Sequence, residues 1–357
     1  MNNLSTLKKR LKTRYILYRD HRRTLSKEKQ KLSLFDFPKL TADEVQKVKQ
    51  QWKGLHFTEK LVQGHRIYKA VHGFDARYLT TPIYDPMIIR VLNPFATAKF
   101  FGNKCLFCNF FSNLLQPKCY VKRIGDEYFD GNMSLINKKQ AFEILSRQEK
   151  YIIKPGNDSY GGAGIQIIQQ NSANQNIQAV FDAYKKDFIV QEIVKQHPDT
   201  AIFNPSSLNT IRVLSLLING RVVVLKAALR CGQHGALVDN ASSGGLMIKI
   251  NENGMLNDFG IDTRFRKIYQ TDSGLEFKGR TVSCFQKIEK LVVENHPKLY
   301  PALRLIAWDF AIDVEGNPIF IEGNARYPGI FWIQLSAGPV FENHIIEELI
   351  EFVNKHS

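Results

Sequence analysis

Residues 308–324 read WDFAIDVEGNPIFIEGN. Two apolar runs flank the turn-forming EGNP, so the stretch predicts a β-hairpin. Side chains alternate along a strand, so Glu322 and Asn324, two apart, share a face. A two- or four-residue connection at EGNP pairs position 309 with 324 and brings Asp309 to that face. A slip of one residue sends it to the other side. Pro318 cannot donate in the ladder, which makes the two-residue connection the less comfortable one. Two carboxylates and an amide oxygen on one face suit Mg²⁺, which takes a few hard oxygens and leaves the rest to phosphate and water. The competing reading points both carboxylates to solvent. Against it, LIAW, FAI and PIFI are continuously apolar, and a buried carboxylate needs a partner.

Upstream, residues 154–168 read KPGNDSYGGAGIQII. A lysine ends an apolar run, and Gly156, Gly161, Gly162 and Gly164 follow. Glycine lets backbone N–H groups approach an anion, and a lysine adds a point charge for phosphate. No Gly-Lys-Ser/Thr follows, which excludes a P-loop. The next run is strand-like rather than helical, which excludes a dinucleotide fingerprint. The stretch predicts a strand–loop–strand flap, either phosphate-holding or a plain hairpin.

Between these lies SLNTIRVLSLLI (207–218), then Asn219–Gly220, then RVVVLKAALRCG (221–232), a strong hairpin signal. With the turn at 219–220, position 212 faces 227. Arg212 then opposes the alternation of Lys226 and Arg230, and all three share a face only if a bulge intervenes. Arginine held in a sheet clamps phosphate or carboxylate; the alternative is a basic surface ladder.

The 357 residues carry a net charge of +15 and are 44% hydrophobic. That composition supports a large core and implies an anionic partner. Five cysteines, an odd number, argue against a disulfide framework and point to the cytoplasm. Cys105, Cys108 and Cys119 lack a nearby fourth ligand for zinc, so they read as plain thiols. The N-terminus has no apolar signal-peptide core. The chain divides into a basic helical extension (1–50) and a region packing on the core (51–115). A lid subdomain with the glycine loop (116–194) and a larger subdomain with the metal hairpin (195–357) follow. In the extension, Leu7, Leu11, Ile16 and Leu17 form a rough helical stripe. It is a candidate for contact with an anionic membrane surface or a biosynthetic partner, beside the plainer reading of a helix packed on the body.

A lysine and glycine loop, a strand ending in Gln191–Glu192, arginines on strands, then Asp…Glu-x-Asn occur in that order. This resembles the ATP-grasp superfamily, and within it the sugar-transfer-associated group related to α-L-glutamate ligases. The matching segments are IKPGNDSYGGAGI, VQEIVKQHP, LNTIRV, RCGQHGALVDNASSGG and AWDFAIDVEGNPIFIEGNARYPG, across roughly residues 115–340. The resemblance implies an α+β fold of two lobes gripping ATP. It implies Lys154 and Gly161, Gly162 and Gly164 on the phosphates, and Gln191, Glu192 and Val194 as the adenine-reading hinge. Gln196 or His197 would lie near the ribose, and Asp309, Glu322 and Asn324 would hold Mg²⁺. Arg212 and Arg230 would stabilise the transferring phosphoryl group or acyl phosphate. The loop with Asp239 and Asn240 is the candidate for substrate binding.

Two departures stand out. Many ligases of this superfamily carry an arginine two positions before the first metal aspartate, where this chain has Ala307. The additional phosphate lysine has no clear counterpart; Lys118 and Lys122 are candidates. The expected activity is an ATP- and Mg²⁺-dependent ligase joining a carboxylate to an amine, tied by the group's name to surface-polysaccharide assembly. A cytoplasmic protein, with any membrane contact peripheral, fits that role. The rivals are a small-molecule or sugar kinase of the same fold and a non-catalytic basic binding protein. Nucleic-acid binding has no recognisable module beyond the charge.

Overall fold

The computed structural model describes residues 2–55, 57–157, 161–170, 177–236, 238–240, 243–299 and 302–356. Part of the glycine loop (158–160) and part of the 239–245 loop (241–242) lie outside them. So do the side chains of Leu7, Leu11 and Leu17 in the expected N-terminal stripe.

Two antiparallel sheets organise the chain. The lid sheet contains β1 (Cys119–Ile124), β2 (Glu127–Asp130), β3 (Leu135–Ile136), β4 (Lys150–Pro155), β5 (Gln166–Gln169) and β6 (Phe188–Gln191), in the order β3-β2-β1-β6-β4-β5. Its core, with Val121, Leu145, Ile153, Phe181 and Phe188, lies under the helices Lys138–Leu145 and Ile177–Ala183. Asn137 opens the first of these with a capping box to Gln140.

The larger sheet contains β7 (Thr210–Ile218), β8 (Arg221–Cys231), β9 (Leu246–Ile250), β10 (Leu256–Ile261), β11 (Lys267–Ile268), β12 (Leu305–Ile312) and β13 (Pro318–Asn324). Its order is β11-β10-β9-β8-β7-β12-β13. One face packs Val213, Leu229, Trp308 and Phe310 against the helix Phe285–Asn295 and against Phe101, Phe107 and Phe111 of the phenylalanine-rich segment. On the opposite face, Leu214, Leu216 and Ala307 pack with Ile345, Ile346, Leu349 and Val353, the apolar stripe of the C-terminal helix Asn343–His356.

Two bulges correct the register that the turns alone would set. Asn219 and Gly220 form the expected two-residue turn, both with positive φ. Ser215 then pairs with Val224 but Leu214 pairs with Lys226, leaving Leu225 as the extra residue. Arg212 therefore faces Ala228 rather than position 227, and Arg212, Lys226 and Arg230 share one face. In the β12–β13 hairpin Ile312 pairs with Pro318, so the connection is the five residues 313–317. That register alone would set Glu322 opposite Trp308, in the core. Phe310 pairs with Phe320 but Asp309 pairs with Glu322, so Ile321 is the extra residue. The expected pairing of 309 with 324 is thus replaced by 309 with 322 and Ala307 with Asn324, and the shared face survives.

The N-terminal extension contains a 31-residue helix, α1 (Asn2–Leu32). Its inward stripe is polar: Asp20, Thr24 and Glu28 are buried. Asp20 pairs with Arg90, and the Lys31 ammonium lies 3.4 Å from the centre of the Phe331 ring. Among the described residues no helix is long and apolar enough to cross a membrane.

Candidate functional site

A cleft of about 750 Å³ separates the lid sheet from the larger sheet. Lys154, Gly161 and Gly162 line it from the lid, and Gln191, Glu192 and Val194 from the connection between the lobes. Arg212, Arg230, Asp239, Asn240, Asp309, Glu322 and Asn324 all reach it from the larger lobe. His197 and Gly164 lie outside this lining. The His197 ring instead accepts a hydrogen bond from the Asp199 N–H, capping a short helix. Gln196 lines the cleft in its place, with its side chain committed to the 204–209 loop.

The floor is a row of charged side chains across three neighbouring strands. Arg212 on β7 faces Asp309 on β12, which faces Glu322 on β13. Arg212 grips Asp309 bidentately, Nε to Oδ1 at 2.8 Å and Nη2 to Oδ2 at 2.6 Å. Arg230 donates from Nη1 to Asp309 Oδ2 at 2.9 Å and from Nη2 to Asp239 Oδ1 at 2.8 Å. It also donates to Asn240, and Thr210 donates to Asp239. Burial pushes the Asp239 carboxyl up, against the pull of Arg230. Ala307 is buried in the apolar core, so the arginines at this floor come from β7 and β8 rather than from β12.

Glu322 and Asn324 complete the patch. The Asn324 Nδ2 group donates to Glu322 Oε1 at 3.2 Å and lies 3.5 Å from Asp309 Oδ2, so its Oδ1 is the atom left to take a cation. Burial opposes ionisation of Glu322, but Lys104 and then Arg212 hold its carboxyl well below the usual carboxylate range. Among the described residues no three His, Cys, Asp or Glu side chains gather into a metal-binding group. The candidate cation site is therefore two carboxylates and one amide, hard donors of the kind Mg²⁺ takes alongside phosphate oxygens.

Lys104 is the residue the sequence reading missed. It lines the cleft, and its Nζ lies 3.1 Å from Glu322 Oε2. The candidates named for that second lysine go elsewhere. Lys118 Nζ lies over the Tyr120 ring, and Lys122 Nζ is buried against the sulfurs of Cys108 and Met133. The only sequence signal for Lys104 is its place after Gly102–Asn103, a break between two helical runs. A Lys104 N–H bond to the Gly156 carbonyl, 2.8 Å long, ties that break to the glycine loop.

Lys154 is buried on β4, and burial, with Lys104 nearby, lowers its amine to about 8. Past it, Gly162 has φ +80° and lies against Val238, where a Cβ would come within 2.6 Å of Cγ1. The Ser243 hydroxyl donates to the Gly161 carbonyl at 3.3 Å. The glycine loop thus crosses the cleft to the loop beside Asp239. At the connection, Glu192 is clasped to Lys118 through backbone and side chain. Gln191 lines the cleft, and its Oε1 is buried with no hydrogen-bond partner among the described residues.

The family model for sugar-transfer associated ATP-grasp proteins matches residues 87–348. The chain belongs to this family. None of the curated proteins matches it. Among solved structures it is similar to an L-amino acid ligase from Bacillus licheniformis at 15% identity and a TM-score of 0.41, covering 73% of this chain and 49% of that one. It is also similar to a D-alanine–D-alanine ligase from Helicobacter pylori, at 14% identity and a TM-score of 0.40, covering 72% and 61%. The corresponding ligase from Coxiella burnetii gives 11% and 0.42, covering 73% and 59%. This ATP-grasp chain spans 49–61% of the length of these neighbours.

Proposed function

We propose that this ATP-grasp protein is an ATP-dependent ligase that activates a carboxylate and joins it to an amine. The observation that carries the reading is the Arg212–Asp309–Glu322 row, with Lys104 at its Glu322 end and Lys154 lining the same cleft. Lys154 and Lys104 supply positive charge for the phosphates, with glycine-loop N–H groups beside them. Gln191 Oε1 offers an acceptor for the adenine amino group. Asp309, Glu322 and Asn324 would hold Mg²⁺, which neutralises phosphate charge when bound.

The substrate carboxylate attacks the γ-phosphorus, and the bond to the bridging oxygen breaks to release ADP. An amine nitrogen then attacks the acyl carbon and expels phosphate. Arg212 and Arg230 are fixed by Asp309 and Asp239 before substrate arrives, so little reorganisation is needed as negative charge builds on the transferring group. Thr210, Asp239 and Asn240 mark the substrate side. Surface-polysaccharide building blocks bearing a carboxylate or amine are the substrate class that fits the family description.

The test is a screen of carboxylates and amines that measures ADP and free phosphate separately. A ligase releases both in equal amounts, and only when an amine is present. ADP without free phosphate, independent of amine, would establish the kinase alternative instead.

A further inference from the structure

Lys122 lies in the middle of β1 with 1% of its surface exposed. Its Nζ is 2.9 Å from Cys108 Sγ and 3.2 Å from Met133 Sδ, and no carboxylate pairs with it among the described residues. Buried ammonium groups are ordinarily matched by a carboxylate or by several oxygens, and sulfur is a weak acceptor. Met133 takes the left-handed conformation, φ 68°, on the β2–β3 turn that brings its sulfur to Nζ. The site described above uses none of these groups. The Nζ–Sγ separation lies within the reach of a bond-forming encounter.

We propose that Lys122 and Cys108 are a modification site: hydrogen peroxide closes them into a covalent sulfur–nitrogen bond. Peroxide transfers one oxygen to the Cys108 thiol, giving a sulfenic acid and water, with sulfur oxidised by two electrons as the O–O bond breaks. Lys122 Nζ, having given one proton to water, attacks the sulfur. The S–O bond breaks, and the hydroxide leaves as water with a second amine proton. The net change is the loss of two hydrogens, and a thiol reverses it by exchange.

Cys108 is the thiol that meets the oxidant because it is half-exposed. Cys105 is buried, and Cys119 is half-buried like Cys108; burial pushes the Cys105 and Cys119 thiols up to about 12. The bond would join the lobes. Cys108 lies on the helix Phe107–Phe110, whose Phe107 packs in the larger core with Phe101 and Phe320. Lys122 and Lys154 both pair with Ile189, so they stand in one row of the lid sheet. A closed bond therefore ties the strand row carrying Lys154 to the segment carrying Lys104.

The experiment treats the full chain with peroxide and maps its peptides by mass spectrometry, with and without a thiol reductant. The expected result is one reducible species joining the Cys108 and Lys122 peptides, two hydrogens lighter than their sum. It should survive in Cys119→Ser, vanish in Cys108→Ser and in Lys122→Met, and fail to form in denaturant. Cys108 recovered as sulfinic acid, or in a disulfide with Cys105 or Cys119, with Lys122 unmodified, overturns the proposal. A joined species carrying an extra oxygen overturns the direct S–N bond.

Discussion

Asp309 and Glu322 stand directly opposite each other on β12 and β13 because Ile321 is the extra residue of a bulge. Without it the five-residue connection would turn Glu322 toward Trp308 and the core. Glu322→Gln keeps the shape and removes the charge. The expected result is a loss of Mg²⁺-dependent ATP binding exceeding the roughly 10–100-fold typical of a lost supporting contact, with the fold intact. Calorimetric titration of ATP with and without Mg²⁺ checks it. Binding equal to wild type in both conditions removes Glu322 from the cation site.

Lys154 reports through pH. Burial lowers its amine from 10.5 to about 8, so the folded chain binds fewer protons than the unfolded chain between those values. Its contribution to stability therefore rises with pH across that window. Phosphate binding runs the other way, because it favours the charged amine. ATP affinity should fall as pH rises above 8, by up to about tenfold per unit. Lys154→Ala should bind ATP weakly and flatten that slope. A wild-type affinity with no such slope means that Lys154 does not meet the phosphates.

Arg230 holds two buried carboxylates, Asp309 and Asp239. Arg230→Met leaves both short of a partner and should destabilise the chain by about 3–5 kcal/mol in urea unfolding. Adding Asp239→Asn should recover part of that loss, because the two changes act on one network. Strict additivity would show that Arg230 and Asp239 are not energetically linked.

Gly323 separates Glu322 from Asn324, and a Cβ there would meet Phe101 Cζ at 2.7 Å. The missing side chain lets the helix Phe95–Phe101 seat against β13, with Lys104 close behind it. Gly323→Ala should cost about 1–3 kcal/mol by overpacking. It should weaken nucleotide binding as well, through displacement of Lys104. Thermal unfolding and ATP titration on the same variant separate the two effects; a stability loss with unchanged affinity rules out the positioning role.

Glu28 makes α1 sensitive to pH. Burial raises its carboxyl from 4.5 to about 8, with Lys31 pulling the other way. Between those values the folded chain keeps a proton that the unfolded chain releases, so stability falls as pH rises through the window. Glu28→Gln imitates the protonated acid and should flatten the decline, read as Tm against pH. A mutant curve parallel to wild type would assign the dependence to other groups.

Strand and helix positions were legible because alternation and caps are local. The hairpin at Asn219–Gly220 follows from neighbouring residues alone. The polar inward face of α1 was hidden, because Asp20 and Glu28 meet Arg90 and Gly64 only through the tertiary fold. The resemblance placed Gln196 or His197 near the ribose, and one short helix cap was enough to commit the His197 ring elsewhere.

The sequence by itself determined the ATP-grasp family, the two strand-rich lobes, and the residue types of the floor: Arg212, Arg230, Asp309, Glu322 and Asn324. Only the tertiary structure decided how they meet. A strand's faces alternate with every residue, so the bulges at Leu225 and Ile321 decide whether four charges converge or scatter, and pairing partners rather than local propensity set such bulges. Lys104 belongs with them for the same reason. Its place at Glu322 is set by Phe101 packing against Gly323 and by the bond to Gly156, contacts with residues far away along the chain.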